Sequence, residues 1–146
     1  MITIKYFLFA KSATIDSFNN QLSVYNIIEE LHSSEVPSIL ADSALAICFE
    51  RDIAKDASPE HITVSIEVNG KSAGEQNFTI DFLSTSRNRT LLNIPFLQLN
   101  EFGKLTFNIK LNRKLLGSYT LKVIKTPLDS QTPNTIVLQP ASEKKL

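Results

Sequence analysis

The feature that most constrains this chain is the alternation of apolar and polar residues in several short runs. An apolar side chain at every second position lies on one face of a pleated strand, and the polar side chains lie on the other. Four runs show this pattern: Ile62–Val68, Phe78–Phe82, Leu105–Leu111 and Tyr119–Val123. They predict antiparallel sheets with one buried face and one solvated face.

Turn signals separate these runs. Asn69-Gly70 favours a tight hairpin because both residues tolerate a positive φ, and Asn112-Arg113 is a weaker signal of the same kind. Pro95 cannot donate a hydrogen bond to a neighbouring strand, which predicts an edge strand or a bulge at that position. Tyr6–Ala10 is an apolar run between Lys5 and Lys11 that is too short to span a membrane, so we expect an opening strand over residues 2–10.

Two segments, Leu22–Leu31 and Ile39–Cys48, fit either a helix or a strand. Their β-branched and aromatic residues favour strands. With them the chain has about eight strands, and its 146 residues suit one domain. We therefore predict an all-β, single-domain antiparallel β-sandwich over residues 1–125. Residues 126–146 contain three prolines and predict a mobile tail, in which Thr135–Leu138 is able to add a strand to a sheet edge.

The run Asn100–Phe107 resembles the E–F corner of immunoglobulin-like domains, where Asp, Gly, Tyr and Cys stand at alternate positions. Glu101 and Gly103 match, whereas Leu105 replaces the Tyr and Phe107 replaces the Cys. The resemblance implies an immunoglobulin-like, Greek-key sandwich without the disulfide of true immunoglobulin domains. It also implies a positive φ at Gly103, where a Val would be strongly disfavoured.

Residues 1–125 also resemble a family of small bacterial and phage proteins of unknown function. The matching stretches are Ile4–Ile15, Leu22–Ile28, which reads LSVYNII, and Leu97–Val123. This resemblance implies the same immunoglobulin-like fold. It carries no catalytic residue to this chain, because the family has none assigned.

The sequence offers no convincing set of catalytic or metal-binding residues. Gly70–Gly74 matches G-x-S-x-G, but it lies between two alternating strands rather than at a strand-to-helix turn, and no His follows it. His32, His61 and Cys48 are not spaced as metal ligands, and Cys48 between Ile47 and Phe49 is typical of a small buried or half-buried hydrophobic residue. We expect no enzyme activity, no metal and no cofactor.

Charge is distributed unevenly, although the net charge is zero. Residues 16–81 hold twelve acidic and three basic residues, whereas residues 87–125 hold eight basic residues and one acidic residue. Four lysines are expected on the outward face of the last hairpin and three arginines in adjoining loops. The candidate basic interaction face is thus Arg87, Arg89, Lys104, Lys110, Arg113, Lys114 and Lys122.

These patterns favour a non-enzymatic interaction module that binds a protein partner or self-associates through charge-complementary faces. The alternative is an anion- or nucleic-acid-binding sandwich that uses the basic hairpin, although no aromatic residue stands at the hairpin's polar positions to stack on bases. No membrane partner is expected. A single cysteine excludes an internal disulfide and favours the cytoplasm.

Overall fold

The computed structural model describes residues 1–52, 59–83, 85–127 and 138–140, which form ten β-strands and no helix. The all-β prediction is confirmed, and both ambiguous segments are strands. The strand count exceeds the eight expected, because the run from Leu22 is divided in two and a short strand follows Leu138. The strands are β1 (Ile2–Ile15), β2 (Leu22–Ile27), β3 (Glu30–Ser33), β4 (Ser38–Arg51), β5 (Glu60–Val68), β6 (Lys71–Ile80), β7 (Arg87–Leu99), β8 (Gly103–Leu111), β9 (Lys114–Lys125) and β10 (Gln139–Pro140).

The strands form two sheets that pack face to face. In sheet 1, β4 is central: β7 pairs along one side of it, and β1 and β10 pair along the other, with β2 beyond β1. Sheet 2 has the order β3-β9-β8-β5-β6. Consecutive strands change sheets after β2, β3, β4, β6, β7 and β9, and the two sheets form the Greek-key arrangement of an immunoglobulin-like sandwich.

One strand pair departs from the antiparallel prediction. β3 pairs with β9 in parallel, with Glu30 opposite Lys122 and Ser33 opposite Lys125. The parallel direction follows from the path of the chain, because the segment from Leu22 to Ser33 first pairs with β1 in sheet 1 and then crosses to the edge of sheet 2.

Alternating residues of the central strands fill the space between the sheets. Phe49 of β4 and Phe107 of β8 are completely buried, and Phe9 of β1 packs on Phe107 with ring centroids 5.0 Å apart. The polar residues between them point to solvent on sheet 2, as the period of two requires. The core cluster also includes Leu45, Ile47, Ile62, Val64, Ile66, Leu97, Leu99, Leu105 and Ile109.

The predicted turns are confirmed. Asn69 and Gly70 have φ values of 51° and 81°, and Asn112 and Arg113 have 48° and 72°. Pro95 lies on β7, which pairs only with β4 among the described residues, so the edge position is the correct alternative and no register shift occurs there. The left-handed conformation expected at the corner is also present, since Gly103 has a φ of 136°.

The start of the predicted tail and three residues near its end are described, namely 126, 127 and 138–140. The side chain of Leu138 is buried, and its N–H donates a hydrogen bond to the carbonyl of His32 at 3.1 Å. Gln139 and Pro140 then pair with Ile39 and Ser38 of β4. Residues 135–137 of the predicted additional strand lie outside the described residues, as does most of the segment predicted to be mobile.

Candidate functional site

An open groove runs between the edges of the two sheets, along β1 and β9. The segment from Leu22 to Ser33 covers one end of this opening, next to Ala10 of β1 and Lys122 of β9. We call this end the upper half of the groove and the other end the lower half. β2 pairs with β1 beyond Ala10, the Ile28 N–H donates to the Phe9 carbonyl at 2.7 Å, and β3 pairs with the last four residues of β9. In the part of the chain that the structure describes, no strand pairs with the lower halves of β1 (residues 2–8) and β9 (residues 114–121) on the side of the groove.

Two apolar depressions make up the groove. The upper one has a volume of about 320 Å³ and the lower one about 520 Å³, and Tyr119 lines both. Each is large enough to receive at least one apolar side chain. The upper depression is lined by Phe7, Leu8, Phe9, Ile27, Ile28, Glu29, Phe107, Tyr119, Thr120 and Leu121, and the lower by Met1, Ile2, Thr3, Ile4, Leu111, Lys114, Leu115, Leu116 and Tyr119.

A stacked aromatic pair joins the two sheets between these depressions. The rings of Phe7 and Tyr119 are nearly parallel, at 12°, with centroids 4.3 Å apart. Close approach of the sheets also depends on Gly117, where an added Cβ would lie 3.1 Å from Cδ1 of Ile4. These contacts fix the spacing of β1 and β9 and therefore hold the groove at a defined width.

The groove is lined mainly by apolar side chains. Burial raises the pKa of the Tyr119 phenol, so this side chain is neutral near pH 7. Lys114 and Glu29 are the charged side chains among the lining residues. An apolar floor beside unpaired strand edges suits dispersion contacts and main-chain hydrogen bonds.

The predicted basic residues lie in three places. Lys104 of β8 and Lys122 of β9 are register partners on the outer face of sheet 2, and Glu30 is the partner of Lys122 on its other side. Lys110 is on the same face, towards the far end of β8. Arg113 and Lys114 are at the turn between β8 and β9. This hairpin therefore carries five of the seven residues.

Arg87 and Arg89 lie on β7 of sheet 1, rather than in loops as the sequence suggested. The Arg87 guanidinium is 3.6 Å from the Glu50 carboxylate, which also pairs with Lys5 at 3.1 Å. Arg89 donates to the carbonyl and the side-chain oxygen of Asn20, each at 2.6 Å. The seven basic residues thus do not share one surface.

The residues weighed for chemistry are separated from one another. His32 pairs with Glu30 and Thr126 at 3.0 and 2.7 Å, Cys48 is buried in sheet 1, and His61 is on β5. Burial raises the pKa of the Cys48 thiol, which keeps it protonated and unreactive. Within the described ranges, no three His, Cys, Asp or Glu side chains cluster as metal ligands. Nor does any helix of those ranges have the length and apolar content to cross a membrane.

The sequence reasoning missed the groove. Its lining includes apolar residues of β1 and β9, but the sequence pattern indicated only that these segments form strands with one buried face. Whether a strand edge is paired depends on the path of distant segments, here Leu22–Ser33, and no local pattern carries that information.

Comparison with known proteins supports the fold and assigns no activity. Residues 5–124 match the model of a family of unknown function, DUF6941, and no curated protein matches the sequence. The solved structure of Pseudomonas fluorescens alkylpurine DNA glycosylase AlkC, bound to DNA containing an abasic site analog, is similar with a TM-score of 0.51 and 10% identity. The similarity covers 84% of this chain but 30% of the glycosylase chain, and at this identity it shows the fold alone.

A second similar structure is that of an immunoglobulin-like protein from Pseudomonas aeruginosa. It has a TM-score of 0.39 and 8% identity, and the match covers 85% of this chain and 97% of that one.

Proposed function

The chain belongs to DUF6941, a family of unknown function, and we propose from its structure that it is a non-enzymatic interaction module that receives an extended protein segment in the groove. The observation that carries this proposal is the pair of unpaired strand edges on either side of an apolar cleft. A free edge presents main-chain N–H and C=O groups that an incoming strand is able to satisfy. Alternate side chains of that strand would enter the two depressions.

The direction of an incoming strand is suggested by β3. This strand already pairs with residues 122–125 of β9, and the free part of β9 continues directly below it. A segment added to residues 114–121 would therefore lie in line with β3 and complete the edge of sheet 2. Because main-chain bonds supply affinity without regard to sequence, the depressions and the charges around them would supply the specificity.

The charges around β9 favour an acidic segment. Lys114 and Lys122 flank the free part of the strand, and Lys104 lies beside Lys122. Lysines on an edge also oppose pairing between identical strands, because an antiparallel β9 pair would bring the lysines of two copies together. The preferred occupant is an extended segment with apolar residues at alternate positions and Asp or Glu between them. The charges would steer and orient such a partner more than they would strengthen its binding.

A reducing compartment is consistent with the cysteine content. Cys48 is the single cysteine and is buried as a free thiol, so the fold does not depend on a disulfide. We therefore place the protein in the cytoplasm as part of the same proposal.

A displayed library of random peptides tests the groove. We expect selection on the wild-type protein to enrich peptides that alternate apolar and acidic residues. Leu115 lines the lower depression and is 55% exposed, so Leu115→Asp introduces a charge there with little effect on the core. This variant should weaken binding of the selected peptides at least tenfold.

The matched control is Phe18→Asp, the same kind of exchange at a side chain that is 99% exposed and away from the groove. It should leave the peptide affinity unchanged. The proposal would be overturned if no peptide were enriched above background, or if the selected peptides bound wild type and Leu115→Asp equally well.

One observation favours the alternative of an anion- or nucleic-acid-binding function. Lys104 and Lys122 face each other directly across β8 and β9, an arrangement that is unfavourable without a nearby anion. Glu30 beside Lys122 partly compensates this repulsion, and the remaining basic residues are too dispersed to follow a nucleic-acid backbone. We therefore hold this function second.

A further inference from the structure

The hairpin formed by β1 and β2 does not continue sheet 1 in a straight line. Ala10 pairs with Ile27 on β2 and with Ala44 on β4, and the residues between Ala10 and Ile27 extend beyond this point. We call this hairpin, residues 11–26, the arm. At its tip Asn20 accepts hydrogen bonds from Arg89 of β7, through both its carbonyl and its side-chain oxygen, at 2.6 Å.

The position of Arg89 shows that the arm folds back over sheet 1. Arg89 is the register partner of Cys48, whose partner on β1 is Tyr6, four residues before Ala10. A straight arm would run the other way and place Asn20 about 30 Å from Arg89 at ~3.3 Å per residue. The reach of an arginine side chain is far shorter. The arm must therefore reverse direction beyond Ala10 and lie across the outer face of sheet 1.

Burial on that face agrees with this path. Ala44, Ala46 and Cys48 alternate along β4 with core residues and so point outward, yet they are only 3%, 1% and 0% exposed. Their register partners include Leu8 on β1 and Leu91 on β7. Small side chains on the central strand, with Leu8 and Leu91 on either side of Ala46, form a shallow trough that the arm covers.

The arm has one apolar and one polar face. Apart from Lys11 at its base, its half-buried residues are apolar and pair across the two strands as Ala13 with Val24 and Ile15 with Leu22. The alternate residues Ser12, Thr14, Ser23 and Tyr25 are exposed. The half-buried face is the one turned towards the trough. The arm therefore binds sheet 1 as a separate element, through apolar contacts along its length and the hydrogen bonds of Arg89 at its tip.

A narrow hinge joins the arm to the sheet. Asn26 has a φ of 56° in an otherwise extended strand. Across the hairpin it lies opposite Lys11, which stands between Ala10 and Ser12, two residues that pair with β2. Asn adopts this left-handed conformation at low cost, whereas most other residues do not. The bend in β2 is thus concentrated at one residue, and changing that residue changes the balance between a folded-back and an extended arm.

We propose that the arm is exchanged between two copies of this chain, so that the arm of one covers the outer face of sheet 1 of the other. The occupant is a second copy because the structure shows that this trough fits this hairpin. The exchanged dimer would keep every contact between arm and sheet, including Arg89 with Asn20, and only the hinge would differ. Exchange competes with closure within one chain, whose effective concentration is in the millimolar range, so wild type should form little dimer below that concentration.

The hinge residue provides the test. Asn26→Val disfavours the positive φ and should raise the dimer fraction at least tenfold at a fixed concentration, measured by size exclusion with light scattering. Asn26→Gly permits the bend and should give less dimer than wild type. Asn112→Val is the matched control, because Asn112 has a similar φ of 48° in the β8–β9 turn, far along the chain from the hinge. It should stay monomeric.

Two further measurements identify the dimer as an exchanged one. Because the arm must leave the trough before it is exchanged, the isolated dimer should revert over hours after dilution rather than within seconds. In a sample that mixes isotope-labelled and unlabelled chains, NMR contacts between arm and trough should appear between chains. Leu115→Asp should not reduce the dimer fraction, which separates this proposal from binding at the groove.

Several results would overturn the exchange. A folded, monomeric Asn26→Val protein at millimolar concentration would do so, as would a dimer that re-equilibrates within seconds or shows no interchain arm contacts. If Asn26→Val does not fold, Asn26→Gly is compared with wild type instead. Equal dimer fractions of these two proteins at high concentration would contradict the role of Asn26 as the hinge.

Discussion

At the scale of single residues, the corner between β7 and β8 depends on Asn69 and Gly103. The Asn69 side chain accepts a hydrogen bond from the Lys104 N–H at 2.9 Å and donates one to the Phe102 carbonyl at 2.8 Å. It thereby ties the β5–β6 turn to the corner. A Cβ on Gly103 would overlap the Asn69 side-chain amide, so Gly103 is required both for its φ and for the space beside it.

We therefore expect Gly103→Ala to lower the free energy of unfolding by about 3 kcal/mol, from backbone strain and loss of the Asn69 hydrogen bonds. Gly70→Ala is the control, because Gly70 has a φ of 81° but nothing within 4 Å of the added Cβ. It should cost about 1 kcal/mol, for strain alone. Urea denaturation measures both, and equal losses would show that Asn69 does not lock the corner.

The sequence identified this corner because its information is local. Glu101 and Gly103 stand in a recognisable spacing, and Asn69-Gly70 carries its own turn signal. What the sequence did not show is that these two features touch, since Asn69 and Gly103 are separated by two strands. Cys48 was expected to be a small buried or half-buried hydrophobic residue, and it is buried. That it lies under the arm depends on the path of a distant segment, which the sequence around Cys48 does not show.

At the scale of strands, the buried side chain of Leu138 belongs to the fold although it follows Lys125, where the domain was expected to end. Leu138→Ala should lower the free energy of unfolding by about 2–4 kcal/mol, as for other large-to-small changes in a core. Leu115→Ala, at a side chain 55% exposed, should change it by less than about 1 kcal/mol. Thermal or chemical denaturation of both variants measures the two losses of unfolding free energy. A loss at Leu138 no larger than that at Leu115 would place Leu138 outside the stable fold.

Strand identity was predictable where the period of two is unbroken, as in β5 and β8. It was less so in Leu22–Leu31, where Ile28 and Glu29 interrupt the strand as the chain crosses between sheets. The sequence there contains apolar residues for two different sheets in succession. Because of that mixture the apolar residues of this run also fit the spacing of a helix. The division into β2 and β3 follows from their pairing partners, β1 and β9.

At the scale of the whole molecule, the dispersion of basic residues predicts weak binding to nucleic acid. The paired lysines at positions 104 and 122 are the densest basic feature on the outer face of sheet 2. A duplex contacting both would release about two counterions. We expect the logarithm of the DNA affinity to fall with the logarithm of salt concentration with a slope no steeper than about −2. A slope of about −5 or steeper, measured by fluorescence anisotropy, would instead reveal an extended basic face.

The separation of acidic and basic residues along the sequence did not become a separation in space. Strand pairing brings both halves of the chain together: antiparallel pairing of β4 with β7 places Glu50 near Arg87, and parallel pairing of β3 with β9 places Glu30 opposite Lys122. Charge counted along a chain therefore predicts a surface only when the topology keeps its halves apart, and in a Greek-key sandwich it does not.

The parallel pairing of β3 with β9 has a mechanical consequence. Glu30, where the chain enters β3, and Lys125, where it leaves β9, stand at opposite ends of the same short ladder. Tension between the chain before β3 and the chain after β9 therefore pulls the two strands past each other. The interstrand hydrogen bonds are loaded together in shear rather than opened one after another. The four residue pairs of this ladder therefore resist stretching as a unit, next to the point where the chain crosses from sheet 1 to sheet 2.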